Sequence, residues 1–202
     1  MMQSITNEPL SLVSWRDPIL FKPVEPCRAV TKGSEAWRSD EREQFRAEAD
    51  DWLREAYRVQ GEMKRIAEGM RAHGLAAPQL GVPMRLIIVT DTPGRGYRAF
   101  VEPTIISRAP ERKTEIEGCL SFPGLSLRVK RAKSVTIGCT TKANGELVPV
   151  AFQARGRLAR VIQHEIDHLD GKTIADQCIA ADREKFAAWT RRQDEKKGRV
   201  AR

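Results

Sequence analysis

The 202-residue chain has no apolar run approaching membrane-spanning length. Its first twenty residues mix Asn7, Glu8, Arg16 and Asp17 with short apolar pairs, so they hold no core of a secretory leader. The four cysteines, Cys27, Cys119, Cys139 and Cys178, show no CxxC spacing, which argues against a disulfide framework. No internal repeat or low-complexity tract divides the chain. These absences describe a cytoplasmic, reduced protein, and the length suits one domain over residues 1–202 with a sizeable core. Histidine is scarce too: there are only three, and two of them share one pentad.

What is present is ordinary in bulk. Charged residues make up 31% and apolar residues 41%, and the formal net charge is +8. That surplus favours contact with polyanions or simply serves solubility. Four prolines through Pro26 mark an extended N-terminal stretch. Phe45, Ala49, Trp52, Leu53, Ala56, Met63, Ile66, Ala67 and Met70 then recur at helical steps, predicting a core-packing helix. Ser39 or Asp40 could cap it, Gly61 is a weak point, and Gly74 lies past its end. Strands are expected over 84–90, 99–106 (interrupted by Pro103), 134–140 and 147–152. The last two form a hairpin around Ala143-Asn144-Gly145. Helices are expected over about 157–169 and 181–197. Helices and antiparallel strands in separate runs indicate an α+β domain.

The most informative segment is His164-Glu165-Ile166-Asp167-His168. On a helix the two imidazoles, four residues apart, share a face and can share a metal ion. Glu165, beside the first, could exchange a proton with a water on that ion. A catalytic site of this kind needs a third protein ligand. Cys119, within Glu117-Gly118-Cys119-Leu120-Ser121, is the candidate, its preceding glycine permitting a tight backbone that presents the sulfur. A third block, Gly74-Leu75-Ala76-Ala77-Pro78-Gln79-Leu80-Gly81, has small residues that let another chain approach its backbone. Gln79 there offers an amide donor to a developing oxyanion.

The blocks HGLAAPQ, EGCLSFP and QHEIDHLDG, in this order, closely resemble the peptide deformylases, from about Trp15 to Asp176. The resemblance implies antiparallel sheets packed around a central metal-binding HExxH helix, with a C-terminal helix. It implies Cys119, His164 and His168 as metal ligands, Glu165 as general acid and base, and Gln79 with the Leu120 N–H as the oxyanion hole. It assigns substrate binding to Gly74, whose backbone would pair with the peptide, and to His73, Leu75 and Gly118. The implied cofactor is one divalent ion per chain, Fe²⁺ in the cell, replaceable by Zn²⁺, Ni²⁺ or Co²⁺. The implied reaction removes the formyl group from the N-terminal formyl-methionine of new polypeptides.

Several positions are further candidates or departures. Asp167 is either a carboxylate supporting the ligands or a plain surface charge, and Glu117 could pair with Arg131 to brace the cysteine turn. The family's branched apolar residue in the first block is here His73, which would either enter the methionine pocket or point to solvent. Arg157 stands where an apolar residue is common, and Glu102 where the family has asparagine before a proline. These departures keep a different N-acyl substrate as the alternative. Two basic stretches, Arg128 to Lys133 and the tail 183–202, bear on the net charge. The tail holds eight Lys or Arg against three acids. In the bacterial family a C-terminal helix is thought to dock on the ribosome, and a basic one suits an RNA-rich surface. Neither a membrane nor a specific nucleic-acid sequence is an expected partner.

Overall fold

The computed structural model describes residues 9–31, 42–143 and 146–200. The proposed cap at Ser39 or Asp40 and the turn residues Asn144 and Gly145 fall outside these. A short helix α1 (Arg28–Thr31) precedes the long α2 (Arg42–Gly69). Seven strands follow: β1 (Gly74–Ala76), β2 (Leu86–Val89), β3 (Arg98–Arg108), β4 (Arg112–Gly118), β5 (Ser126–Ala132), β6 (Ser134–Ala143) and β7 (Glu146–Arg155). The chain continues through α3 (Gly156–Leu169), α4 (Ile174–Gln177) and α5 (Arg183–Val200). Strands β1-β2-β3-β6-β7 form one antiparallel sheet in that order, and β4-β5 form a separate hairpin. The expected α+β architecture is therefore present.

Helix α2 buries the predicted stripe: Ala49, Trp52, Leu53, Ala56, Val59, Met63 and Ala67 pack with Leu75, Leu86 and Ile88 of the sheet. Each fully buried large side chain contributes about 1.5–3 kcal/mol, enough to carry Gly61 within an unbroken helix. The helix ends in a Schellman arrangement, with Ala72 N donating to Ala67 O (2.9 Å) and Arg71 N to Glu68 O (3.1 Å). The left-handed residue this turn requires is Arg71, at φ 50°. A glycine would hold that position without the roughly 1–2 kcal/mol that a side chain costs there.

Helix α3 lies at the centre, its residues from Ile162 to Leu169 all buried against the sheet and β5. Gln163 docks the β4-β5 hairpin onto it. Its Oε1 accepts from Ala132 N (3.2 Å) and its Nε2 donates to Ala132 O (3.0 Å). At the helix C-terminus, Arg85 donates through Nη1 to Leu169 O (3.2 Å) and Val24 O (3.1 Å). This buried cation satisfies helix carbonyls and ties down the N-terminal segment. Strand β3 shifts register between Val101 and Thr104, because Glu102 adopts φ 49° and Pro103 has no N–H for the ladder. Helix α5 seats Trp189 against Phe122 and Trp15, with ring centroids 5.7 and 5.1 Å away. Among the described residues no helix is long and apolar enough to cross a membrane.

Candidate metal centre

The HExxH segment is helical, and one α3 face carries both imidazoles to the turn after β4, where Cys119 sits. One ligand atom from each of Cys119, His164 and His168 lies within 4.8 Å of the others, and Cys119 Sγ is 3.2 Å from His168 Nε2. Burial opposes a charge on the Cys119 thiol. The imidazoles of His168 and His164 outweigh it and hold that thiol well below its ordinary pKa. Burial likewise opposes a charge on His164, yet the Cys119 sulfur and the Glu117 carboxylate raise its proton affinity well above the usual value. Sulfur and imidazoles thus compete for positive charge in a small space, the condition that suits a divalent cation.

Glu117 fixes the orientation of His164. The carboxylate accepts from Arg131 Nε (2.8 Å) and Nη2 (2.9 Å), from Arg160 Nη1 (2.5 Å) and from His164 Nδ1 at 3.0 Å. Burial pushes the Glu117 carboxyl up, but these donors hold it well below the carboxylate range. An ionised acceptor has no proton to give, so Nδ1 carries the hydrogen and Nε2 is left to ligate. Arg131 also donates to Asp167 at 2.6 Å. Asp167 is therefore a buried member of this network, not a surface carboxylate. Within the stretch 128–133, Arg131 is inside and Arg128 reaches the fully buried Asp182 at 2.6 Å, while Lys130 and Lys133 stay exposed. His168 Nδ1 is buried and has no partner among the described residues.

Glu165 is buried beside the donors, and its Oε2 is unpartnered among the described residues. Burial lifts its carboxyl to about 7, with the His164 and His168 charges opposing. Gly74 allows the carboxylate to lie where it does: a Cβ there would stand 2.5 Å from Glu165 Oε1 and 2.7 Å from Val161 Cγ1. Gln79 sits in a 3-10 turn over 77–80, its Oε1 held by Ala76 N (2.8 Å). Its Nε2 faces Ser121 Oγ (3.1 Å) and Cys119 Sγ (3.5 Å). The Leu120 N–H has no acceptor among the described residues.

A cleft of about 710 Å³ opens onto the donors, lined among others by His73, Gly74, Gln79, Gly118, Leu120 and Glu165. His73 does not point to solvent: it lines the cleft half-buried, with Nδ1 buried and unpartnered among the described residues. Leu75 is fully buried in the α2 core and does not line the cleft, where edge strand β1 is represented by Gly74. Sequence reasoning missed Arg160, which clamps Glu117 and also donates to Lys113 O (2.6 Å). Its signal was the four-residue step to His164, which puts both on one helix face. It missed Ser121 as Gln79's partner as well, for which residue type alone carried no signal.

A thiolate and two imidazoles that can hold a cation, with a near-neutral carboxyl and amide donors at the end of a cleft, equip a metal-dependent hydrolase. Within that class, the chain belongs to the polypeptide deformylase family, whose model matches residues 9–184. A peptide deformylase of Natranaerobius thermophilus is 42% identical over 118 residues, covering 58% of this chain and 71% of the relative. One of Carboxydothermus hydrogenoformans is 45% identical over 112 residues, covering 54% and 70%. Among solved structures, the Plasmodium falciparum peptide deformylase superposes with TM-score 0.72 at 26% identity, over 92% of this chain and 97% of that one. The Thermotoga maritima enzyme gives 0.66 at 27%, over 86% and 99%.

Proposed function

We propose that this chain hydrolyses the formamide of N-terminal formyl-methionine on newly made polypeptides, releasing formate. The reading is carried by the convergence of Cys119, His164 and His168 with Glu165 at the end of the cleft. The three donors would hold one divalent ion, and their mixed sulfur and nitrogen character suits Fe²⁺, with Zn²⁺, Ni²⁺ or Co²⁺ able to replace it. When bound, the ion supplies Lewis acidity, which acidifies water and polarises a carbonyl.

The chain's own groups do the rest. Glu165 takes a proton from the attacking water on a carboxylate oxygen as the oxygen–carbon bond forms, and delivers it to the amine nitrogen as the carbon–nitrogen bond breaks. Gln79 Nε2, aimed by the Ala76 N–H, and the Leu120 N–H donate to the carbonyl oxygen as it gains charge. Gly74, on an edge strand whose other side pairs with Val89, offers free backbone groups to an extended peptide, with Gly118 across the cleft. We read residues 1–202 as one catalytic unit working in the cytoplasm, with α5 as a ribosome-docking element.

The test is formate release from a formyl-methionyl tripeptide by metal-replete protein, beside its acetylated counterpart. Glu165→Gln should lower kcat by a factor of about 10²–10⁴ with metal content unchanged. Retained turnover would remove Glu165 from its role, and acetate release in place of formate would overturn the substrate.

A further inference from the structure

The cleft continues from the metal donors along three segments: Arg71 to Gly74 leading into β1, the end of β4, and the first turns of α3. Most of the charge lining it is spent internally. Arg160 pairs with Glu115 at 2.8 Å and with Glu117 at 2.5 Å, and Glu117 is further occupied by Arg131 and His164. Two cations remain. Arg71 and Arg157 are exposed, line the cleft, and have no carboxylate partner among the described residues.

Both arginines stand where local physics disfavours them. Arg71 occupies the left-handed position closing α2, which glycine or asparagine would fill more readily. Arg157 is the second residue of α3, where the positive end of the helix dipole repels a cation, and that first turn holds no acidic residue. Two unpaired guanidiniums and the amides of a helix N-terminus at one cleft form a receptor for negative charge.

We propose that this cleft selects formylated peptides with acidic side chains in the first positions after the formyl-methionine, Arg71 and Arg157 being the residues that read them. The proposal rests on the deformylase reading above. The carboxylate of the peptide would pair with the guanidiniums without touching the reacting atoms, so selection appears in KM rather than kcat.

The experiment compares three formyl-methionyl peptides differing only in whether Glu, Gln or Lys occupies the two residues after methionine. Formate release by metal-replete protein is measured at low and at raised ionic strength. Each exposed ion pair is worth a factor of a few, so kcat/KM should rank Glu above Lys by roughly three- to tenfold. The ratio should shrink with salt. Arg157→Lys should keep the order, and Arg157→Glu or Arg71→Glu should reverse or abolish it. Equal kcat/KM for the three peptides, or a ratio indifferent to both charge reversals, overturns the inference. Turnover of none of them overturns the deformylase reading instead. Calorimetric binding of the same peptides then decides the inference separately, because charge-ordered affinities sustain it and equal ones end it.

Discussion

At Gly74 a single hydrogen keeps the space that Glu165 uses. Any Cβ there would press on a Glu165 carboxylate oxygen and on Val161 Cγ1, so both of these α3 side chains would have to shift. Gly74→Ala should cost about 1–3 kcal/mol of stability as an overpacked site. It should also lower turnover by displacing Glu165, read by thermal unfolding alongside formate release. A mutant of unchanged stability and activity would mean that the carboxylate moves freely. Glu102 makes a different kind of prediction. Burial raises its carboxyl to about 7, with the Cys27 N–H (3.1 Å) and Arg85 opposing, and its Oε2 is buried without a partner among the described residues. A carboxyl whose folded pKa lies above its unfolded value of about 4.5 binds more protons in the native state between those two values. Its contribution is thus most favourable below pH 4.5 and declines as pH rises through 7. Measured by denaturant titration, the wild-type chain should lose on the order of 2–3 kcal/mol relative to Glu102→Gln between pH 4.5 and 8. A pH-independent difference would remove the cause assigned here.

Among elements, the decisive join is the one that Arg131 makes between β5, β4 and α3 through Glu117 and Asp167. Arg131→Met would strand the buried Asp167 carboxylate and leave Glu117 with only Arg160 and His164 as donors. The expected loss is about 3–5 kcal/mol, and because Glu117 also orients His164, metal affinity should weaken by about 10–100-fold. Chemical denaturation and competition with a chelator read the two effects separately, and full metal affinity in a destabilised mutant would confine Arg131 to a structural role. This join also explains what the sequence hid. Helices α2 and α3 and the β6-β7 hairpin were legible because their apolar residues follow a period of 3.6 or 2. Strand β4, Arg-Lys-Thr-Glu-Ile-Glu-Gly, is exposed along most of its length and shows no such period. In β5 the inward positions are Leu127, Val129 and Arg131, so a buried arginine broke the alternation and the strand read as a basic surface. Strand β1 is three residues long, and its pairing with Val89 had no local signal. The metal donors were legible because HExxH on a helix dictates its own geometry. The partners of Glu117, 14 to 47 residues away, come together only through the fold.

For the molecule as a whole, the net charge of +8 has to be located before it can be given a partner. Arg85, Arg128, Arg131 and Arg160 are paired within the fold, so they offer little to an external polyanion. Helix α5 differs: Arg183, Arg192 and Lys196 are exposed and have no ion-pair partner among the described residues, although Arg191 meets Glu184. Deleting the helix cannot test ribosome docking cleanly. Trp189 is only 3% exposed, donates to Pro123 O at 3.1 Å and covers Phe122, three residues from Cys119, so truncation would unroof the metal site itself. Charge reversal at Arg183, Arg192 and Lys196 leaves that packing intact. If the helix docks on an RNA-rich surface, the triple variant should keep its formate release from a free tripeptide. It should also co-sediment less with ribosomes at low salt, and its binding should depend less steeply on salt, the log–log slope falling by roughly one unit for each phosphate no longer neutralised. Co-sedimentation equal to wild type across the salt series would refute docking through α5 and leave its charges to solubility.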